Sequence, residues 1–217
     1  MFIGHYAVAL GTKKVSPKIS LGTLFLASQF IDLLWPILLI LGAEHARIAP
    51  GNTAFTPLDF YDYPISHSLL AVIGWSLLFG GIYFIIRRNL KNAFITGLCV
   101  LSHWLLDFIS HRPDLPLMPG SQTFVGLGLW NSVAASLVVE VALFVMGLML
   151  YLRTTAAKDK TGSYAFWIFV GFLMIIYIMN IVSPPPPDII AVAYAGLALW
   201  LFVPWLYWID RHRTVRE

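Results

Sequence analysis

Cysteine is almost missing from these 217 residues: Cys99 stands alone, so no disulfide can form within the chain. Charge is scarce as well. Charged residues make up 12% of the sequence against 59% apolar, and mean hydropathy is +0.77, whereas a soluble domain carries roughly twice that charge. Too little polar surface exists to cover a water-soluble enzyme or to build a nucleic-acid-binding face. The formal net charge of +3 calls for no polyanionic partner. No internal repeat is visible, and no basic segment precedes the first apolar stretch as a signal peptide would require.

What the chain has instead is hydrophobic runs. Six of them, at Leu21–Gly42, Ile65–Arg87, Ala93–Ser110, Leu129–Leu152, Tyr164–Val182 and Ile189–Trp208, are long enough to cross ~30 Å of hydrocarbon as helices. Met1–Gly11 is apolar too, but at ~16 Å it falls short of a span and reads as a half-helix or re-entrant segment. The expected fold is an all-α membrane protein: a six-span helical bundle with that extra N-terminal element. Lys13, Lys14, Lys18, Arg87, Arg88, Lys91, Arg153, Lys158, Lys160, Arg211, Arg213 and Arg216 fall on one side, and only Arg47 and Arg112 on the other. The positive-inside rule then places both termini in the cytoplasm. Residues 1–152 read as the membrane core, and 153–217 as a cytoplasmic linker, a two-span hairpin and a basic tail. The outside links Ala43–Pro64 and His111–Gly128 are long, as functional loops often are.

Ionisable groups inside a span cost at least ~2.5 kcal/mol each at the bilayer centre and are functional candidates for that reason. His103, Asp107 and His111 recur every four residues on one helical face. An imidazole and a carboxylate one turn apart, ~6 Å along the axis, can share a Zn²⁺ or similar ion, whereas His111, ~12 Å from His103, cannot join them. Counting from each span's basic anchor puts His103 at ~18 Å, Glu140 at ~20 Å, Asp32 at ~21 Å and Asp107 at ~24 Å above the cytoplasmic face. His67 and His111 come out near ~30 Å and His5 near ~12 Å. A band of carboxylates and imidazoles at one depth is best explained as ligands around a cation, since unpaired buried carboxylates repel one another. The expected ligands are His103, Asp107, Asp32 and His67. His111 is the candidate acid for a leaving group, and Glu140 a candidate base or support to the ligands.

Four short stretches also resemble a known family. Met1 to Gly11 with its histidine, Gln29-Phe30-Ile31-Asp32, Ile65-Ser66-His67-Ser68 and Ser102-His103-Trp104-Leu105-Leu106-Asp107 are similar, in order and approximate spacing, to motifs of the bacterial membrane-bound metal-dependent hydrolases of the inner membrane. The similarity covers residues 1–111. Where that family has Pro-Asp-x-Asp, this chain reads Gln29-Phe30-Ile31-Asp32 and lacks one carboxylate. The resemblance implies a divalent metal cofactor, hydrolytic activity and His5 as a further metal ligand, although the depth count sets His5 below the rest. The His-x-x-x-Asp step also looks like that of zinc-dependent phospholipases C, which implies phosphoester chemistry. The expectation is therefore a zinc-dependent hydrolase of the bacterial inner membrane, acting on a lipid or lipid-linked substrate in the outer half of the bilayer. A cation- or proton-coupled transporter and a metal-stapled scaffold are the rival readings.

Overall fold

The structure, a computed structural model, describes residues 1–216. Ten helices dominate it. α1 covers Ile3–Val15, α2 Leu21–Ser28, α3 Phe30–Ile40, α4 Pro64–His67 and α5 Leu69–Arg87. α6 covers Leu90–Ser110, α7 Val133–Thr154, α8 Lys160–Val182, α9 Ile189–Ala198 and α10 Phe202–Arg211. Among the described residues, five helical segments are long and apolar enough to cross a membrane: α5, α6, α7, α8 and the α9–α10 run. The pair α2 and α3, bent by 55°, makes a sixth if counted as one span.

Side-chain caps define where most of these helices begin. Ser20, Ser68, Asn89, Ser132, Asp159 and Asp188 each accept a hydrogen bond from the backbone N–H three residues on, which satisfies a donor the helix itself cannot. Arg88, with φ of 50°, ends α5 in the left-handed conformation and turns the chain directly into α6.

The break in the first apolar run falls at Gln29, between α2 and α3. Pro36 sits within α3, where it removes only the hydrogen bond to the carbonyl of Asp32. α1 is the half-helix expected from its length, and it is mostly buried against α7, α2 and α6. Gly147 permits that contact, because a Cβ there would lie 2.4 Å from the carbonyl oxygen of Ala7. Lys13 is no surface anchor: it is 3% exposed and paired with Asp210 at 2.8 Å. Arg213 is buried too.

α9 lies against α3, and α10 against α2 and α8. Trp200 donates to the carbonyl of Leu33 at 3.0 Å, and the Tyr207 and Thr23 hydroxyls are 2.7 Å apart. The C-terminal hairpin therefore shares the core of the earlier spans, with Tyr6 and Phe25 packing on Phe202. Three short antiparallel strand pairs cover the helix ends. β1 (His45–Ile48) pairs with β2 (Leu58–Asp62) and β3 (Leu115–Pro116) with β4 (Phe124–Val125) in the two long links. β5 (Thr155–Ala157) pairs with β6 (Arg213–Val215), joining the α7–α8 link to the tail.

Candidate metal centre

His103 and Asp107, one turn apart on α6, are both buried, with Nε2 and Oδ2 3.1 Å apart. α3 brings Oδ1 of Asp32 to 3.4 Å from the same Nε2. α4 adds Nε2 of His67, 3.6 Å from Asp32 Oδ1 and 3.8 Å from Asp107 Oδ2. Four ligands held ~2.1 Å from one tetrahedral ion stand ~3.4 Å from one another, so these separations match the edges of such a shell. Two imidazoles and two carboxylates suit Zn²⁺ or a similar divalent ion. Asp32, with 29% of its side chain exposed against 5% or less for the other three, marks the way in.

The outer nitrogen of each imidazole is held by a partner, which leaves the inner lone pair free for a cation. Nδ1–H of His103 donates to the carbonyl of Ser28 at 2.8 Å, a group the end of α2 leaves without a helical partner. Its Nε2 is buried and has no hydrogen-bond partner among the described residues. Nδ1–H of His67 donates to Ser66 Oγ at 2.7 Å, and that hydroxyl donates to Glu44 Oε2 at 2.6 Å. Glu44 is fixed in turn by Oε1, which accepts the backbone N–H groups of Ile65 and Ser66, both at 2.7 Å.

His5 also reaches the cluster, against the depth count that set it lower. The count assumed that Lys13 marks the membrane surface, whereas Lys13 is drawn inside by Asp210. The His5 ring stacks on His103 with centroids 3.6 Å apart, and its Nε2 lies 3.1 Å from Asp107 Oδ1. The Met1 amine donates to that same oxygen and to Ser110 Oγ at 3.1 Å. Asp107 is thus held on Oδ1 while Oδ2 faces the other ligands. Two sets of three, Asp32 with His67 and His103, and His5 with His103 and Asp107, have ligand atoms within 4.8 Å of one another.

Two expected site residues are not brought to these ligands. His111 binds Asp114 through Nδ1 at 2.9 Å, and its ring packs beside Trp130 and Phe60 at 4.4 and 5.0 Å. α6 ends at Ser110; the His111 N–H still bonds the Asp107 carbonyl in helical fashion, while its extended ψ turns the following chain so that Asp114 comes back to hold the ring. Glu140 is occupied by the start of α1: Oε2 accepts from the backbone of Phe2 at 2.8 Å and of Gly4 at 3.4 Å. A buried helix N-terminus needs such an acceptor, and a carboxylate also suits its dipole.

Sequence reasoning missed Glu44, which carries no motif, and Tyr63. The Tyr63 ring packs 4.9 Å from His67, and its hydroxyl donates to Asp114 at 3.2 Å. Burial, reinforced by Asp114, pushes the Tyr63 pKa well above the usual phenol value, so the hydroxyl keeps its proton. The aromatic run Phe60 to Tyr63 was the available signal. Protein-family models, curated proteins and solved structures include no match to this chain.

Proposed function

We propose that this protein is a membrane-embedded, metal-dependent hydrolase acting on a lipid or lipid-linked substrate. The observation that carries the proposal is the convergence of Asp32 Oδ1, His67 Nε2, His103 Nε2 and Asp107 Oδ2, with four of their separations between 3.1 and 3.8 Å. Bound there, a divalent ion, zinc by its donor set, supplies an acidified water and an electrophile in one place. The protein's part is to hold two carboxylates and two oriented imidazoles together, three of the four buried and Asp32 partly exposed. Phosphoester chemistry and the bacterial inner membrane, with both termini cytoplasmic, follow from the motif resemblance and the distribution of basic residues. His111 and Glu140, the candidate acid and base, are each held by a neighbour outside the four ligands: Asp114 binds His111 through Nδ1, and the start of α1 binds Glu140 through Oε2.

Two observations favour rivals. Four protein ligands can saturate a tetrahedral ion, as structural sites do, and a broken helix beside a polar site is a transporter feature. Metal analysis of the purified wild type beside Asp32→Asn and His103→Ala tests the centre, and equal content in all three would remove it. Turnover of a phospholipid panel by the wild type, lost in a folded His103→Ala variant, supports hydrolysis. A wild type that holds metal and cleaves nothing supports a staple, and counterflow in liposomes supports transport.

A further inference from the structure

At the end of the bundle where α1, α7 and α10 stop, a cavity of about 210 Å³ lies between Lys13, Lys18, Ser20, Thr155, Asp210 and Arg213. Its charges do not cancel. Lys13 spends its three N–H groups on Asp210, at 2.8 and 3.1 Å, and on the carbonyl of Ile19 at 2.7 Å, so that pair is neutral and satisfied. Arg213 is 7% exposed and, among the described residues, has only neutral partners: Thr155 Oγ1 at 3.1 Å from Nη2 and 3.3 Å from Nε, the Thr155 carbonyl at 3.5 Å, the Gly162 carbonyl at 2.9 Å, and the faces of Tyr151 and Phe166 at 5.1 and 4.8 Å. Lys18 is exposed and, like Arg213, has no carboxylate within ion-pair distance among the described residues. Three cations and one acid leave a formal surplus of two positive charges around one cavity. A guanidinium withdrawn from water without a counter-charge is costly, and an anion in the cavity removes that cost.

We propose that this cavity binds a phosphate group, either free or on a phospholipid head. At neutral pH a free phosphate or a phosphomonoester carries between one and two negative charges and a phosphodiester head one, which offsets part or all of the surplus, and its oxygens suit the Lys18 ammonium beside the Arg213 guanidinium. The volume is about seven times a water's ~30 Å³ share of the liquid, room for the group and several waters. The pocket is separate from the metal centre: eight residues of α1, ~12 Å, lie between His5 and Lys13. The proposal stands whether or not the metal centre hydrolyses anything.

The test uses the full chain in phosphatidylcholine nanodiscs titrated with inorganic phosphate, and in nanodiscs containing phosphatidic acid examined by native mass spectrometry. Saturable binding is expected in at least one arm, and the arm identifies the source. Lys18→Glu, an exposed change that spares the buried contacts, is expected to weaken that binding at least tenfold. Lys14→Glu, exposed outside the cavity, is expected to leave it unchanged. No saturable binding in either arm, full binding by Lys18→Glu, or equal losses in the two variants would overturn the site.

Discussion

Replacing Ser66 with alanine removes the hydroxyl between Glu44 and His67 while every metal ligand stays in place. Two short hydrogen bonds are lost, at 2.7 Å to His67 Nδ1 and 2.6 Å to Glu44 Oε2. Without its partner the His67 ring is free to rotate and to carry its proton on Nε2, the atom that faces Asp32 and Asp107. Loss of such an outer partner typically weakens metal binding 10- to 100-fold, or about 1.4 to 2.8 kcal/mol. The ion-free fold is also expected to lose ~1 to 3 kcal/mol, because Glu44 Oε2 is left buried and unpaired. Chelator-competition titration of the ion-free protein with Zn²⁺ reads the first quantity, and thermal unfolding without metal reads the second. Ser102→Ala, next to His103 in sequence, is the control: among the described residues the Ser102 hydroxyl bonds only to the carbonyl of Cys99. Wild-type affinity in Ser66→Ala, or the same loss in Ser102→Ala, would refute the orienting role.

Other perturbations reach different parts of the structure. Glu140→Ala leaves the N–H groups of Phe2, part-buried, and Gly4, buried, without their acceptor; hydrogen exchange at the start of α1 is expected to accelerate, with ~1 to 3 kcal/mol lost from stability in thermal unfolding. Gly147→Ala drives a Cβ to 2.4 Å from the Ala7 carbonyl, and the overpacking is expected to cost ~1 to 3 kcal/mol by the same measurement. Asp159 caps α8 at the exposed end, and its pKa is lowered by hydrogen bonds from His212 and from the backbone N–H of Gly162. A carboxyl lowered on folding stabilises above its unfolded value, ~3.9, and that contribution is lost as pH falls through the folded value. Amide exchange at Gly162, corrected for its intrinsic pH dependence, is therefore expected to show less protection below about pH 4, a change absent from Asp159→Asn.

The helical runs were readable because hydrophobicity persists for the length a span needs, and α6 to α8 begin and end within a few residues of where composition placed them. His103 with Asp107 was readable for a related reason: an i, i+4 pair on one regular helix depends only on helical periodicity. Residues whose position depends on irregular backbone were harder. His111 is the C-cap of α6, and what holds its ring is Asp114 in the loop beyond, a partner that helical periodicity does not reveal. The height of His5 was misjudged because Lys13 resembles a surface lysine in sequence, and its acid, Asp210, lies 197 residues away. Glu44 had no pattern around it; its role depends on a short helix, α4, that hydrophobicity merges into the following span.

Those irregular places share a physical cause that also accounts for the site. A helix that ends inside an apolar bundle leaves N–H or C=O groups that no water can satisfy, and each must find a partner in the protein. Here the centre lies among such ends. The end of α2 releases the Ser28 carbonyl, which fixes the tautomer of His103. The start of α4 releases the N–H groups of Ile65 and Ser66, which fix Glu44 and, through Ser66, His67. The start of α1 is held by Glu140, and that placement sets His5 on His103 and Asp107. The buried ends and the imidazoles thus satisfy one another: each break that would otherwise destabilise the fold aims a side chain at a common point. An uninterrupted six-helix bundle would satisfy its backbone internally and have no such groups left to orient a ligand. If that coupling holds, a variant that weakens one of these backbone contacts should lower metal affinity and fold stability together, whereas Lys18→Glu, at the far end of α1, should change neither.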